Sequence, residues 1–451
     1  MAPSNTAHSH KHNNAYVISV NMGYGHERAA YALRDLAAGG IITANDYEGI
    51  PAKDKKLWSD SRRLYETISR LKPIPFIGDF AFEIMDRMQR IASFYPRRDL
   101  SKPSLQVKQT YYFVEKLGLC KHLIEKLAQD PKPLICTFFM PAFAAEVYNY
   151  PGDIYLQVCD ADMSRAWVAM NPKKSRIKYF APNGRVVERL KLYGVNPKNI
   201  FLTGFPLPKE LIGGPEGEII KKDLIGRLCN LDPNGIFVHK YWRTLEAELG
   251  SGTCPLKPNH PLTLTFAIGG AGAQKNLALN VMQSLKKRIK NQELTLRMVT
   301  GTKQDLADEF YAAAREFGLT SSMNKNLFID SYKDRPSYFR EFSKTLRKTD
   351  ILWTKPSEMS FYTGAGIPII MAPSIGSQEQ FNRIWLKTVG GGVAQADPRY
   401  VDEWLFDWIN SGGLARMAWN GYIEAPTHGA YRIESITTGE KIELEQLPMI
   451  V

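Results

Sequence analysis

The side chains best suited to chemistry lie in two polar segments in the second half of the chain, at residues 354–358 and 377–382. Carboxylates accept hydrogen bonds from sugar and ribose hydroxyls, whereas lysine and amide groups bind the oxygens of a diphosphate. Such a combination is typical of a site for a nucleotide sugar. The residues concerned are Lys355, Ser357 and Glu358 in the first segment, and Ser377, Gln378, Glu379 and Asn382 in the second.

Each polar segment follows a short apolar run that predicts a buried strand, Ile351–Trp353 before the first and Ile367–Met371 before the second. A helical segment between them is predicted to end at Gly364 or Gly366, and the second polar segment is predicted to be a loop. Loops that leave the carboxyl ends of neighbouring strands in an open α/β sheet converge on one crevice. We therefore expect both segments to contact one ligand.

A histidine at the start of a helix is the candidate for proton transfer. The apolar run Ala15–Val20 predicts a strand, the loop Gly23-Tyr24-Gly25-His26 follows it, and a stretch of helical composition comes next. A glycine loop before a helix lets the backbone approach a ligand. The loop lacks the third glycine of the dinucleotide fingerprint. Because histidine has a pKa near 6.5, it can take a proton from a hydroxyl at neutral pH.

The same arrangement recurs later in the chain, where the predicted strand Leu262–Ile268 leads into a glycine loop and then a helix. The free N–H groups of such a helix start favour an anion by about 0.3–1 kcal/mol, and each hydrogen bond to a charged group adds about 1.5–3 kcal/mol. The loop therefore predicts a diphosphate site, with tight turn packing as the alternative. Its residues are Gly270, Ala271, Gly272, Ala273 and Gln274.

The composition is that of a globular protein with two domains. The chain has 451 residues, of which 44% are hydrophobic and 23% charged. Its net charge of +12 favours an anionic partner, such as a nucleotide, an acidic membrane surface or nucleic acid, although solubility alone could also explain it. The 5 cysteines form no Cys-x-x-Cys pair, which indicates reduced thiols and a cytoplasmic location.

No part of the sequence predicts insertion into a membrane. The first 14 residues are polar and resemble neither a signal peptide nor a membrane anchor, and no apolar run reaches the roughly 20 residues of a transmembrane helix. Residues 50–130 interleave arginine and lysine with aromatic residues. Such a segment can lie on an anionic bilayer as a peripheral contact, or it can pack its aromatic side chains inward.

An Asp-x-Asp tripeptide, Asp160-Ala161-Asp162, follows the predicted strand Ile154–Cys159. In the GT-A architecture of glycosyltransferases such a tripeptide binds a metal, but its spacing alone has little specificity. The motifs after it are more informative because they form an ordered series. The series is Trp167, Tyr179-Phe180-Ala181-Pro182, Val187-Glu188-Arg189-Leu190, Gly194-Val195 and Thr203-Gly204-Phe205-Pro206.

This series resembles the GT-B glycosyltransferases, in the branch that contains monogalactosyldiacylglycerol synthase and the N-acetylglucosaminyltransferase of peptidoglycan lipid II. The loop at residues 23–26 with the following alanines is similar to the family's Gly-Gly-Gly-His-x-x-Ala signature, with Tyr24 in place of the middle glycine. The segments KPSE, GIPII and SQE with Asn382 are similar to the family's donor-binding region, although Glu358 lies earlier than the family's glutamate.

The resemblance implies an α/β chain of the GT-B class, with two Rossmann-like domains facing a central cleft. It also implies an inverting, metal-independent transfer of a sugar from a nucleoside diphosphate sugar, UDP-linked in the family, to a hydroxyl of an acceptor such as a lipid or glycan. No cofactor or metal is expected. His26 would be the general base, worth about 10²–10⁴ in rate. The acceptor side would comprise Gly23, Tyr24, Gly25, Asp160 and Trp167, and the donor side would comprise the residues 270–274 and the two polar segments.

Three other functions are compatible with the sequence: a UDP-sugar 2-epimerase on the same fold, a non-catalytic protein that binds a sugar nucleotide or a lipid, and a nucleic-acid binder suggested by net charge alone. We do not expect the last of these. The expected units are a disordered tail (1–14), an acceptor domain (15–210) with the insert 50–130, a linker with a helical insert (211–260), a donor domain (261–420) and a returning C-terminal segment (421–451).

Overall fold

The protein consists of two α/β domains, each built on a six-stranded parallel sheet, so the predicted fold class is confirmed. None of the helices that the structure describes is long and apolar enough to cross a membrane. Residues 61–90 of the basic and aromatic insert and the glycine loop at 270–273 lie outside the described residues. The computed structural model describes residues 14–60, 91–254, 256–269, 274–374, 377–444 and 446–447.

The N-terminal sheet has the strand order β2-β1-β3-β4-β5-β6. Its four inner strands are short apolar runs, largely buried on both faces, as is usual in parallel sheets covered by helices. The edge strands β2 and β6 are half-buried. Three of the strands, β2, β5 and β6, were not predicted from the sequence. The strands are β1 Tyr16–Ser19, β2 Ile42–Thr43, β3 Leu134–Cys136, β4 Ile154–Gln157, β5 Lys178–Ala181 and β6 Ile200–Leu202, and the helices include α1 Tyr24–Ala32, α2 Leu105–Glu115, α3 Lys121–Leu127, α4 Phe139–Val147 and α5 Gly184–Leu192.

The C-terminal sheet has the strand order β12-β11-β10-β7-β8-β9, which is the 3-2-1-4-5-6 order of the Rossmann fold. The order reverses between β7 and β10, and ligands of such sheets bind at this switch point. In the N-terminal sheet the corresponding reversal lies between β1 and β3. The strands are β7 Thr263–Ala267, β8 Thr295–Gly301, β9 Leu327–Ser331, β10 Ile351–Thr354, β11 Ile369–Met371 and β12 Gly392–Ala394.

The stretch 211–260, expected as a linker with one helical insert, forms two long helices that belong to the C-terminal domain. Leu224, Leu228 and Leu231 share one helix face by their spacing and are fully buried in the second core. The helices after β6 pack mainly in this domain, and the last of them packs on the N-terminal domain. They are α6 Lys209–Ile212, α7 Glu218–Leu231, α8 Ile236–Leu249, α9 Lys275–Ser284, α10 Lys286–Lys290, α11 Gln304–Glu316, α12 Arg335–Leu346, α13 Ser377–Thr388, α14 Val401–Asn410, α15 Gly413–Glu424 and α16 Gly429–Thr438.

The first polar segment has the predicted secondary structure, and the second does not. The first leads into a 3-10 helix, Glu358–Ala365, which ends at Gly366 in the left-handed conformation (φ 70°). The second was predicted to be a loop, and this was wrong, because Ser377 begins the helix α13. Its polar residues occupy the first turns of the helix, and a loop and a helix start have the same composition.

The chain returns to the N-terminal domain through α16. Ala430 and Ile433 are buried in a cluster with Val17 and Ala30, next to the first strand. Gly429 permits the crossing, because a Cβ atom there would lie only 2.3 Å from the backbone oxygen of Phe205. The C-terminal helix therefore connects the two domains a second time.

A buried ion pair holds the loop that follows β4. Asp162 is fully buried and accepts hydrogen bonds from Arg189 Nε and Nη2, both at 2.8 Å, and from Arg185 Nε at 3.0 Å. Both carboxylate oxygens are therefore occupied by cations of α5. The second aspartate of the Asp-x-Asp tripeptide therefore has a structural role.

Replacing Asp162 by asparagine is expected to lower the free energy of unfolding by about 3–5 kcal/mol, because Arg189 would remain buried without its carboxylate. Asp153→Asn is the matched control, since its pair with Lys178 is half-exposed and should be worth under about 1 kcal/mol. Urea denaturation followed by circular dichroism measures both. Equal losses in the two variants would contradict this role of Asp162.

Candidate functional site

The first turn of α1 lies between the two domains and contacts the second one. The hydroxyl of Tyr24 shares a hydrogen bond of 3.2 Å with Thr302 Oγ1, just after β8. Its ring packs against Tyr338 at a centroid distance of 5.1 Å. Gly301 has a φ of 67°, and a Cβ atom there would lie 2.8 Å from the Tyr24 hydroxyl. Tyr24, predicted on the acceptor side, thus reaches across the domain boundary.

Glu358 is held by the same helix. Its Oε1 accepts a hydrogen bond of 3.0 Å from Arg28 Nε, and Arg28 is only 2% exposed. Arg28 also donates to the hydroxyl of Tyr338. The second oxygen of Glu358 lies 3.0 Å from the position of a Cβ atom on Gly25, so a side chain there would have to displace the carboxylate by a few tenths of an ångström. Glu358, predicted on the donor side, is therefore placed against the glycine loop of the opposite domain.

His26 lies at the switch point of the N-terminal sheet. Its ring centroid is 5.0 Å from that of Phe138 and 5.7 Å from that of Trp167. Burial lowers the pKa of His26 from 6.5 to about 4, against the opposing effects of the Thr137 backbone and the Glu358 charge. Its Nδ1 atom is buried without a hydrogen-bond partner. His26 is therefore neutral at pH 7.

A cavity of about 580 Å³ opens beside His26. Most of its wall is apolar, and its polar end includes His26, Asp160 and Gln378, the last from the opposite domain. Trp167, predicted on the acceptor side, lies in this wall, whereas Phe138 and Phe139, at the end of the apolar run that begins with β3, were not predicted. The apolar part includes Met22, Phe113, Phe138, Phe139, Met140 and Trp167.

Asp160 lies at the polar end of the cavity and is joined to the second domain by Asn382. The Asn382 amide donates to Asp160 Oδ1 at 2.9 Å and to the Pro356 backbone oxygen at 3.3 Å, and its oxygen accepts from Ala161 N at 2.7 Å. Asn382, predicted to orient the sugar, thus bridges the domains. Burial raises the pKa of Asp160 to about 6, although the Asn382 hydrogen bond lowers it.

Of the predicted donor residues, Lys355, Ser357 and Glu379 lie at the switch point of the C-terminal sheet. Lys355 Nζ is 2.5 Å from Glu379 Oε1. The aliphatic part of the Lys355 side chain passes over Gly269, where a Cβ atom would lie 2.8 Å from Lys355 Cε. Ser357 begins the 3-10 helix, where its hydroxyl accepts from Met359 N at 3.4 Å. The side chain of Ser377 and the residues Gly270, Ala271, Gly272 and Ala273 lie outside the described parts of the structure.

Gln274 lies at the start of α9, immediately after the glycine loop. It is only 8% exposed, yet within the described residues neither its side-chain nitrogen nor its oxygen has a hydrogen-bond partner. Buried amides are nearly always hydrogen-bonded, so the Gln274 amide at this helix start is a candidate for contact with a ligand. Among the described residues, several other buried polar atoms without partners lie at or beyond the carboxyl ends of strands. They belong to Ser19, Asn21, His26, Ser331, Ser360 and Ser374.

No protein-family model matches the chain, and no curated protein is similar to it. Among solved structures it is similar to S. aureus MnaA with UDP, at 11% identity over 96% of this chain and 99% of that chain, with a TM-score of 0.48. It is similar to Acinetobacter baumannii MurG at 11% identity over 95% and 100% of the chains, with a TM-score of 0.44. It is similar to the UDP-GlcNAc 2-epimerase from Neisseria meningitidis at 11% identity over 76% of this chain and 83% of that chain, with a TM-score of 0.43. These comparisons assign no family to the chain.

The pKa of His26 makes the protein less stable in mild acid. The unfolded chain takes up a proton near pH 6.5 while folded His26 resists it to about pH 4, so the free energy of unfolding falls as the pH drops through this interval. Proton NMR of the imidazole should show a midpoint near 4, with the signal assigned by its loss in His26→Gln. A midpoint at 6 or above would show that the ring is hydrated.

Proposed function

We propose that the protein is an inverting glycosyltransferase that moves a sugar from a UDP-linked donor to an acceptor hydroxyl, on a lipid or a glycan. The donor diphosphate binds at the switch point of the C-terminal sheet. The acceptor enters the cavity beside His26. The two switch points meet across the domain boundary, so the reacting groups are placed next to each other.

The unpaired amide of Gln274 carries the proposal. It is buried at the start of α9, where free N–H groups favour an anion. An amide can donate one hydrogen bond to a phosphate oxygen and accept another from a hydroxyl. Lys355, at the end of the neighbouring strand β10, supplies a positive charge to the same switch point. This combination stabilises a leaving nucleoside diphosphate.

The cavity favours transfer over epimerisation. An epimerase on this fold would act on the donor sugar alone and would need no second binding space. Here about 580 Å³ lies next to His26, and its wall is largely apolar. This volume is within the range of small-molecule sites. It supports a separate acceptor with an apolar part.

The charge on the diphosphate is proposed to be stabilised without a metal ion. Asp162, the second aspartate of the Asp-x-Asp tripeptide, has both oxygens engaged by Arg185 and Arg189. In the transfer, the acceptor oxygen attacks the anomeric carbon and the bond to the diphosphate oxygen breaks. The hydroxyl proton goes to the polar end of the cavity, a role that the family resemblance gives to His26.

Calorimetric titration with UDP, GDP and ADP tests the donor site. We expect UDP to bind with micromolar affinity and EDTA to leave the affinity unchanged. Gln274→Ala should weaken binding about 10- to 100-fold, because it removes a hydrogen bond to a charged group. Gln283→Ala, an exposed glutamine on the same helix, is the matched control. His26→Ala should keep the affinity for UDP.

The absence of binding to all three nucleotides would rule out the donor site. Binding that requires a divalent metal would contradict the metal-free arrangement and would direct attention to Asp160. Equal affinities of Gln274→Ala and wild type would place the nucleotide elsewhere.

A further inference from the structure

Asp160 has one carboxylate oxygen available to a ligand in the acceptor cavity. It follows β4 at the carboxyl edge of the sheet and lies at the polar end of the cavity with His26 and Gln378. Its Oδ1 accepts a hydrogen bond from Asn382. Within the described residues, Oδ2 has no hydrogen bond to the protein. A hydroxyl bound in the cavity can therefore donate to Oδ2.

Asn382 fixes the orientation of this carboxylate from the opposite domain. It is fully buried, and its three hydrogen bonds, to Asp160, Ala161 and Pro356, use both amide hydrogens and the oxygen. A side chain engaged in this way has little capacity left for a substrate. Since α13 belongs to the C-terminal domain, the orientation of Asp160 depends on the contact between the domains.

Three titratable side chains line the cavity, His26, Asp60 and Asp160, and the surroundings of Asp160 make it a stronger base than His26. Burial raises its pKa to about 6, with further increases from the charges of Glu358 and Glu379 and a decrease from Lys355. Burial lowers the pKa of His26, which faces the same cavity, to about 4. At neutral pH both are unprotonated, and general base catalysis is most effective when the pKa of the base is close to the working pH.

We propose that Asp160 is the general base of the transfer and that Asn382 is a positioning residue that orients it across the domain boundary. This inference rests on the proposed function. As the acceptor oxygen bonds to the anomeric carbon, its proton passes to Asp160 Oδ2. The electron pair of the breaking bond leaves with the diphosphate. His26 then contributes to holding the acceptor and does not accept the hydroxyl proton.

The dependence of kcat/KM on pH distinguishes the two bases. With UDP-glucose, UDP-galactose and UDP-GlcNAc as donors and glycerol as acceptor, the rate of UDP release should fall below about pH 6. Asp160→Asn should lower it about 10²- to 10⁴-fold and abolish this pH dependence. His26→Gln should keep the midpoint near 6. Asn382→Ala should move the midpoint to higher pH, because the carboxylate loses a stabilising hydrogen bond.

Infrared difference titration gives a second measurement that needs no turnover. The difference between the spectra of the wild type and of Asp160→Asn should show one carboxyl group that titrates near pH 6. Asn382→Ala should shift the midpoint of this titration to higher pH. Absence of such a group would overturn the proposal whether or not a donor reacts. A rate profile of Asp160→Asn with the wild-type midpoint would also overturn it. Calorimetry distinguishes a failure of the proposed function from a failure of the proposed role of Asp160. If UDP binds normally while these tests fail, only the role of Asp160 is wrong.

Discussion

The structure depends on one buried ion pair between the domains, Arg28 with Glu358. Breaking such a pair by removing one partner costs about 3–5 kcal/mol, because the other charge remains in a medium that cannot solvate it. The pair is therefore stable only while the domains are in contact. The rings of Tyr338 and Phe342 lie 5.0 and 4.7 Å from the guanidinium carbon and exclude water from it. The contact fixes the first turn of α1 against the second domain.

The geometry of helix α1 determines which side chains contact the second domain and which face the cavity. Residues four apart lie on the same face of a helix, so Tyr24 and Arg28 both point to the C-terminal domain. His26, two positions from each, lies on the other side and faces Phe138 and Trp167. The same turn of helix therefore joins the domains and presents a side chain to the acceptor cavity. A second bridge, from Asn382 to Asp160, brings the cavity to the edge of the donor side.

The elements that place the site were largely predictable, whereas the contacts across the cleft were not. Apolar runs such as Ala15–Val20 and Leu262–Ile268 mark their strands because a buried parallel strand needs little else. The partners of Glu358 and Asn382 lie 330 and 222 residues away in sequence. No local pattern encodes such pairs, so both residues were predicted to bind the donor. The amphipathic spacing of Leu224, Leu228 and Leu231 did contain a signal for α7, although the surrounding glycine and proline residues suggested a linker.

The most direct test of the central claim, that a nucleotide binds between the two switch points, is a crystal structure of the protein with UDP. We predict the diphosphate at the start of α9, within hydrogen-bond distance of the Gln274 amide and beside Lys355. The acceptor cavity and His26 should lie on the opposite side of the cleft from the nucleotide, and the pair between Arg28 and Glu358 should be intact. UDP bound within the N-terminal domain alone, or domains separated with Arg28 exposed to solvent, would contradict the claim.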